Sequence, residues 1–381
     1  MKITDRWPSN RGGRIREVAM AGSAMASRVT ASRVTASRVM SAAVLNALGK
    51  PLEIELRPRP VPGPGQVLVR VRAAGLCHTD LHLADGSAVT PPLPIVLGHE
   101  IAGEVAEVGE GAGFTPGDRV LAYYYEGCGH CAWCTGGSEN LCPAPAAKVG
   151  FDSDGGLCTY YLAGARSLVP IADTVSFAEA AVLGCSGTTA VRVVRTVART
   201  APDETVVVIG AGGVGLAVVQ VAVADGAHVI AVDPHAPSRE QARRYGAHTV
   251  IDPRVGDPVA AVHAATGGRG CHVAVDTVGN TDTPGQAVRM TGTRGRVVLV
   301  GYTGKPSTLD VLDVVVRETE IRGSVGATLA DAHTVMKMAE AGLVRGYVEA
   351  EYPLDRVNEA MARLADGNVT GRLVITPSAS A

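Results

Sequence analysis

Across residues 52–71 apolar and polar positions alternate, and the alternation is broken by Pro58, Pro60, Pro62 and Pro64. A period of two marks a strand with one buried face, and proline cannot donate to a central ladder. The pattern predicts a strand, a proline-rich turn, and a second strand at 67–71. Short apolar segments at 105–108 and 119–122, with glycine turns between, extend the theme, so this stretch reads as an all-β, barrel-like domain. The period changes near Phe177, where an Ala-rich run to Val194 has helical character. Beyond it, apolar segments at 206–209, 229–232, 250–251, 273–275, 297–300 and 321–324 alternate with helix-length stretches, of which 213–224 and 238–245 are the clearest. Such alternation predicts a doubly wound parallel sheet, whose strands are apolar on both faces because helices cover both. Two helical stretches at 330–341 and 355–365 and a strand at 372–375 close the chain and are expected to return to the first domain.

The first 39 residues break this patterning. They carry Arg6, Arg11, Arg14, Arg16, Arg28, Arg33 and Arg38 against only Asp5 and Glu17, and the pentapeptide Ala-Ser-Arg-Val-Thr at 26–30 repeats at 31–35. An Arg- and Ser-rich, acid-poor segment of this kind resembles a transit peptide. It is equally consistent with translation from an upstream start, Met40 being the alternative, or with a disordered arm, and no catalytic role is expected of it. The expected division is a disordered extension at 1–39, a β domain at 40–185, a nucleotide-binding domain at 186–327, and a C-terminal return at 328–381.

Composition narrows the function. The 381 residues suit two ordinary domains, and 46% hydrophobic against 19% charged residues excludes wholesale disorder. Aromatics are only 4%, which leaves the core to Ala, Val, Leu and Ile. A net charge of −2 offers no pull toward nucleic acid or an anionic membrane, and no apolar run approaches the roughly 20 residues that span a bilayer. A soluble, cytoplasmic protein without a nucleic-acid or membrane partner is expected.

Four of the eight cysteines, Cys128, Cys131, Cys134 and Cys142, crowd one short segment. Near neighbours in sequence make an awkward disulfide framework, whereas four thiolates on one loop suit a closed tetrahedral zinc site or, alternatively, an iron–sulfur cluster. Cys77, His99 and Cys185 are dispersed; one His and two Cys leave a fourth position open, which is the catalytic arrangement for zinc. Singly, each has an ordinary reading, Cys185 as a small core residue above all.

Gly210, Gly212, Gly213, Val214 and Gly215 belong to Gly-Ala-Gly-Gly-Val-Gly, which lies between a predicted strand and a predicted helix. Glycines there permit a tight turn, backbone approach to a pyrophosphate, and close helix–strand packing, while the helix N-terminus stabilises the anion. Asp233 ends the next strand, where a carboxylate binds a ribose diol and repels a 2′-phosphate, favouring NAD over NADP. Its ordinary alternative is a helix cap beside Pro234.

The Gly-Leu-Cys-His-Thr-Asp stretch at 75–80, the Gly-His-Glu triplet at 98–100, the four-cysteine segment and the glycine loop together resemble the zinc-dependent alcohol dehydrogenases of the medium-chain dehydrogenase/reductase family, in order and in interval, over residues 42–377. The resemblance implies a GroES-like β-barrel catalytic domain, a Rossmann domain, and two zinc ions per subunit. Cys77, His99 and Cys185 would hold the catalytic zinc, with Glu100 beside it as a transient ligand, and the four-cysteine segment the structural zinc. Asp80 would accept a hydrogen bond from His99 and fix its tautomer. Thr79 would receive the alcohol proton and pass it by way of the ribose to His82, whose ordinary alternative is a surface histidine. Arg372 would reach the cofactor, Thr189 would pack on the nicotinamide, and Val278 and Val300 would hold its carboxamide. His78 stands where many relatives place an arginine against the pyrophosphate, which implies weaker NADH binding. Tyr124 and Ala88 would line the substrate pocket.

The implied activity is oxidation of an alcohol to an aldehyde or ketone, and the reverse, with hydride passing to NAD. A polyol dehydrogenase, a carbonyl, iminium or alkene reductase on the same scaffold, and a non-enzymatic NAD-binding protein are the alternatives. The family also implies a homodimer or homotetramer assembled through Rossmann edge strands.

Overall fold

The computed structural model describes residues 39–377 apart from Ala88. Residues 1–38, expected to form a disordered extension, and Ala88, expected to line the pocket, lie outside the described residues.

The β half is organised around the strand Gln66–Leu76, which pairs antiparallel with Glu100–Val108, Tyr160–Gly164 and Arg372–Thr376. Its Val67, Leu68, Val69, Val71, Ala74 and Leu76 are all buried, as a strand enclosed on both faces requires. Arg119–Ala122 and Leu168–Pro170 extend this sheet on one side and Val348–Pro353 on the other. The C-terminal strand lies in register Leu373–Leu76 and Val374–Gly75, so the chain end lies beside the segment that leads into Cys77. A smaller sheet joins Val39–Leu45 to Glu53–Pro58 and Ile95–Val96, so the first strand opens at Val39.

The other half is a six-stranded parallel sheet in the order Thr249–Ile251, His228–Val232, Thr205–Ile209, Cys271–Asp276, Thr291–Leu299, Glu320–Gly323. The strand side chains alternate between two cores. Val206, Val208, Val229 and Ala231 join the large core shared with the β half, while Val207, Ile209, Ile230 and Val232 face a second core with Val262 and Ala287. This is the Rossmann arrangement, and the connection reverses direction at Thr205–Ile209. The carboxyl ends of these strands therefore bring Gly210, Asp233, Val278 and Val300 to one edge.

A single helical run, Phe177–Val197, links the two halves. It corrects the expectation that no apolar stretch reaches bilayer length: the run has 21 residues and a mean hydropathy of 1.2, but 83% of its apolar window is buried inside the protein, as befits a core helix. Two stretches, Leu183–Gly187 and Arg192–Val197, are π-helical, and such bulges widen a helix where a side chain must be re-aimed.

Candidate active site

Cys77 caps the helix His78–Asp85 at the point where the strand Gln66–Leu76 ends. His99 and Glu100 enter the neighbouring strand, where Glu100 lies opposite Gly75. A Cβ on Gly75 would stand 2.0 Å from Glu100 Oε2, so only glycine lets that carboxylate turn inward. Cys185 reaches the same point from the first π-helical stretch. The ligand atoms of Cys77, His99, Glu100 and Cys185 all lie within 4.8 Å of one another, and all four residues are buried.

The electrostatics of this cluster call for a cation. Glu100 Oε2 and His99 Nδ1 are buried with no hydrogen-bond partner. Burial pushes the Glu100 carboxyl up to about 7 even though Arg372 pulls it down. Cys77 is held well below the usual thiol range, first by its contact with the Cys185 thiol and then by Arg372. Burial disfavours a charged His99, yet the facing Asp80 outweighs it and holds the imidazole well above its ordinary range. Two sulfurs, an imidazole nitrogen and a carboxylate oxygen in a water-poor site form the donor set that suits Zn²⁺. The expected Asp80–His99 bond is looser than a hydrogen bond: Oδ1 and Nδ1 face one another at 3.4 Å without bonding geometry. Asp80 Oδ2 instead accepts the Cys77 N–H at 2.8 Å and anchors the ligand's backbone.

The sulfurs of Cys128, Cys131, Cys134 and Cys142 form a second cluster within 4.8 Å. Cys128 and Cys134 stand 3.9 Å apart, and Cys131 and Cys142 3.8 Å. A tetrahedral zinc with Zn–S bonds of about 2.3 Å has S–S edges of about 3.8 Å, so the spacing fits, and none of the eight cysteines is in a disulfide. The segment is tied down by Asn140, which donates to the Val325 carbonyl at 2.8 Å, and by Glu139, which accepts the Leu329 N–H at 2.6 Å.

The glycine loop shows the division of labour its sequence suggests. Gly210 has φ +88°, and a Cβ there would strike Val278 and Thr277. A Cβ on Gly215 would sit 1.8 Å from the Gly210 carbonyl, so the helix Gly213–Ala224 can pack closely only without one. Gly212 faces open space, with no atom within 4 Å of the Cβ position, as a backbone cradle for a ligand requires. Asp233 accepts the Ala211 N–H and the His235 N–H, each at 2.7 Å. It thus braces the loop as well as the entry to the next helix. Arg372 is buried; it donates to Glu100 at 3.1 Å, lies 3.6 Å from Cys77 Sγ, and presses Nη1 against Gly213. Val214 and Val300 are half-buried and Val278 is exposed at the rim. Thr189 is buried one helical turn beyond Cys185, and His78 is exposed beside Cys77.

Thr79 and His82 share the helix that follows Cys77; Thr79 Oγ1 lies 3.6 Å from Cys77 Sγ, and His82 Nδ1 is 3.0 Å from Ser87 Oγ. Tyr124 is buried against His99 with ring centroids 5.3 Å apart. Three further aromatics gather here that the sequence reading did not single out. Phe151 lies 5.2 Å from His99, Tyr125 lies 4.6 Å from Tyr124, and Tyr302 stacks on His82 at 6.0 Å. The signal was the scarcity itself: in a chain with 4% aromatics, the run Tyr123-Tyr124-Tyr125 is conspicuous.

Residues 63–173 match the family described as alcohol dehydrogenase GroES-like domain, and residues 213–341 match the zinc-binding dehydrogenase family. The chain is 36% identical to an NAD-dependent alcohol dehydrogenase of Sulfurisphaera tokodaii, over 87% of this chain and 98% of that protein. It is 32% identical to a D-arabinose 1-dehydrogenase (NADP(+)) of Saccharolobus solfataricus, over 87% and 96% respectively. Among solved structures, that of AibC superposes with a TM-score of 0.85 at 36% identity, covering 93% of this chain and all of that one. With a β half that carries a buried Cys/His/Cys/Glu cluster, a Rossmann sheet that carries the glycine loop, and relatives matched over nearly their whole length, the chain belongs to the zinc-type alcohol dehydrogenases of the medium-chain dehydrogenase/reductase family, and it is an oxidoreductase.

Proposed function

We propose that the protein interconverts an alcohol and the corresponding aldehyde or ketone, with Cys77, His99 and Cys185 holding a catalytic zinc and the glycine loop holding NAD. The observation that carries this reading is the convergence of those three side chains and Glu100 within 4.8 Å, in a buried site that Arg372 joins to Gly213. Held by these residues, zinc would supply Lewis-acid activation of an alcohol oxygen and NAD would supply the hydride acceptor. The chain's own residues supply the rest. Asp80 fixes the Cys77 backbone and faces His99. Thr79, two residues after Cys77 with its Oγ1 3.6 Å from the Cys77 sulfur, takes the alcohol proton, and His82 delivers it to solvent. Asp233 favours NAD because a carboxylate repels a 2′-phosphate. Tyr124, Tyr125 and Phe151 form an aromatic wall beside His99 that suits an apolar or aromatic substituent. Cys128, Cys131, Cys134 and Cys142 hold a second, structural zinc.

A homodimer or homotetramer is the proposed assembly. The helix Val311–Val315 leaves Val311, Leu312 and Val315 exposed, and Val316 follows them, close in sequence to the sheet's edge strand Glu320–Gly323. An apolar patch beside an unpaired edge suits a second copy of the chain.

The deciding experiment follows NADH formation with NAD or NADP and a panel of primary, secondary, aromatic and polyhydroxylated alcohols, before and after chelation. Zinc-dependent turnover that prefers NAD establishes the reading. Turnover confined to sugars or polyols moves the protein to the polyol branch, and NADH binding without turnover of any alcohol moves it to the carbonyl, iminium or alkene reductases.

A further inference from the structure

The amino ends of the parallel strands lie at the other end of the sheet from the glycine loop, and a cavity of about 700 Å³ opens there. Four arginines line it from three segments: Arg199 just after the linking helical run, Arg269 just before the strand Cys271–Asp276, and Arg294 and Arg296 in the strand Thr291–Leu299. Glu204, Glu318 and Glu320 are the acids among the lining residues, so cations outnumber anions even with His272 neutral. The volume falls within the roughly 300–1,000 Å³ of small-molecule sites. None of these residues has a part in the proposed reaction.

The backbone around this cavity is irregular. The two strands align Cys271 with Thr291 and Val273 with Arg296, so one residue, His272, stands against four, residues 292–295. A Cβ on Gly292 would stand 2.4 Å from the Arg269 carbonyl, and one on Gly270 would stand 2.6 Å from the Gly292 nitrogen. Glycine at both positions therefore lets the bulge lie directly against the turn that carries Arg269. Among the described residues, four that are not glycine adopt a left-handed backbone: Arg199, Asp203, Arg294 and Glu318, at φ 54°, 65°, 58° and 51°. Three of them line the cavity, and the fourth precedes Glu204, which lines it too. Such a backbone strains any residue with a Cβ and persists where its surroundings fix it. Here Arg296 Nη1 donates to the Arg199 carbonyl at 3.0 Å, and the Arg294 N–H donates to the Arg317 carbonyl at 2.6 Å. Strain gathered at one cavity marks a place where side chains are aimed for a purpose.

The four arginines are unevenly satisfied. Arg296 is tied to Glu204 in a largely buried pair. Arg199 and Glu320, like Arg294 and Glu318, stand 3.6 Å apart, beyond hydrogen-bond length, with half or more of each side chain in solvent. Exposed pairs this loose contribute little and exchange partners readily. Arg269 has no acidic partner among the described residues. Guanidinium forks match phosphate oxygens in shape and charge. We propose that this cavity binds a phosphorylated small molecule at a site separate from the cofactor's, with Arg269 and Arg294 as its direct anchors and Arg199 beside them. The phosphate takes Arg294 from Glu318 and joins the bulge to the Arg269 turn. Arg199 follows the linking run and Glu318 leads into the edge strand Glu320–Gly323, so the bound anion fastens three segments together. The site stands or falls independently of the dehydrogenase reading.

The test titrates the full chain with pyrophosphate by calorimetry, at constant ionic strength and with excess NADH present to fill the glycine loop. Inorganic phosphate and citrate are titrated alongside. One saturable pyrophosphate site per chain is expected, with a raised melting temperature and weaker binding as salt increases. R269Q and R294Q should each weaken it about tenfold while the Kd for NADH is unchanged. E318Q removes the carboxylate that competes for Arg294 and should tighten binding about threefold. All three positions are exposed, and R294G, which relieves the left-handed backbone, serves if R294Q does not fold. Citrate bound as tightly as pyrophosphate would overturn the phosphate assignment. Absence of saturable binding, or binding unchanged when both arginines are replaced, would overturn the site itself.

Discussion

Arg372 Nε donates to Glu100 Oε1 at 3.1 Å, in a pair that is almost wholly buried, and the same guanidinium leaves no room for a Cβ on Gly213. The last strand of the chain thereby ties the metal-ligand cluster to the cofactor loop. Removing one member of a buried ion pair strands the other charge. R372M should therefore destabilise the protein by about 3–5 kcal/mol in denaturant unfolding, less whatever Glu100 recovers by taking up a proton. R372K restores the charge but not the forked geometry and should recover only part. A melting transition unmoved by R372M would mean that the pair contributes nothing to the fold.

The four-cysteine segment makes a prediction about metal content. C128S should lower zinc from two to one per chain by elemental analysis while NADH binding persists at first, because the Asn140 and Glu139 tethers still hold the segment to residues 325–329. Losing a structural zinc ligand should lower the melting temperature, since ligand closure contributes folding energy directly. A variant that keeps two zinc ions, or a parent that holds only one, would contradict the structural-zinc assignment.

The two halves of the molecule were unequally legible in the sequence. The Rossmann half declared itself because valines such as Val206 through Ile209 must be buried on both faces, and because Gly210 to Gly215, weak evidence alone, lies directly between a strand and a helix, where a phosphate loop belongs. The helix Gly213–Ala224 has the predicted bounds for that reason. The strands Tyr160–Gly164 and Val348–Pro353 gave little warning: the first is short, and the second carries Glu349 and Glu351 among its apolar residues and gains its partner only through long-range pairing. The ligand set could be proposed from residue types, but the inward turn of Arg372 and the reach of Tyr302 across the cleft depend on tertiary packing and have no local signature.

Asp233 offers a sharper test of cofactor choice. Its carboxylate accepts the N–H groups of Ala211 and His235, so it shapes the loop besides the ribose-binding role proposed for it. D233S should raise the relative use of NADP by removing the repulsion of a 2′-phosphate. It should also cost about 1–3 kcal/mol of stability, because two backbone donors lose a charged acceptor. The ratio of kcat/KM for NAD to that for NADP checks the first consequence and urea unfolding the second. A change in stability with no change in that ratio would leave Asp233 as a bracing residue only.

His78 stands exposed directly after Cys77 and near Arg372. Desolvation by its surroundings holds the imidazole below its ordinary range, against the pull of Cys77, so near neutral pH it carries little charge to set against a pyrophosphate. An arginine keeps its charge throughout this range and offers a planar fork that matches phosphate oxygens. H78R should therefore lower the Kd for NADH about threefold to tenfold, a gain of roughly 0.7–1.4 kcal/mol. The sign of the pH response follows from the lowered pKa: binding to the parent tightens only as the pH falls below the usual imidazole range, whereas the H78R variant stays flat. Fluorescence titration of NADH between about pH 5 and 8 measures both terms. Equal and pH-independent affinities in parent and variant would show that position 78 does not meet the pyrophosphate, and would leave Arg372 and the backbone of the glycine loop as its partners.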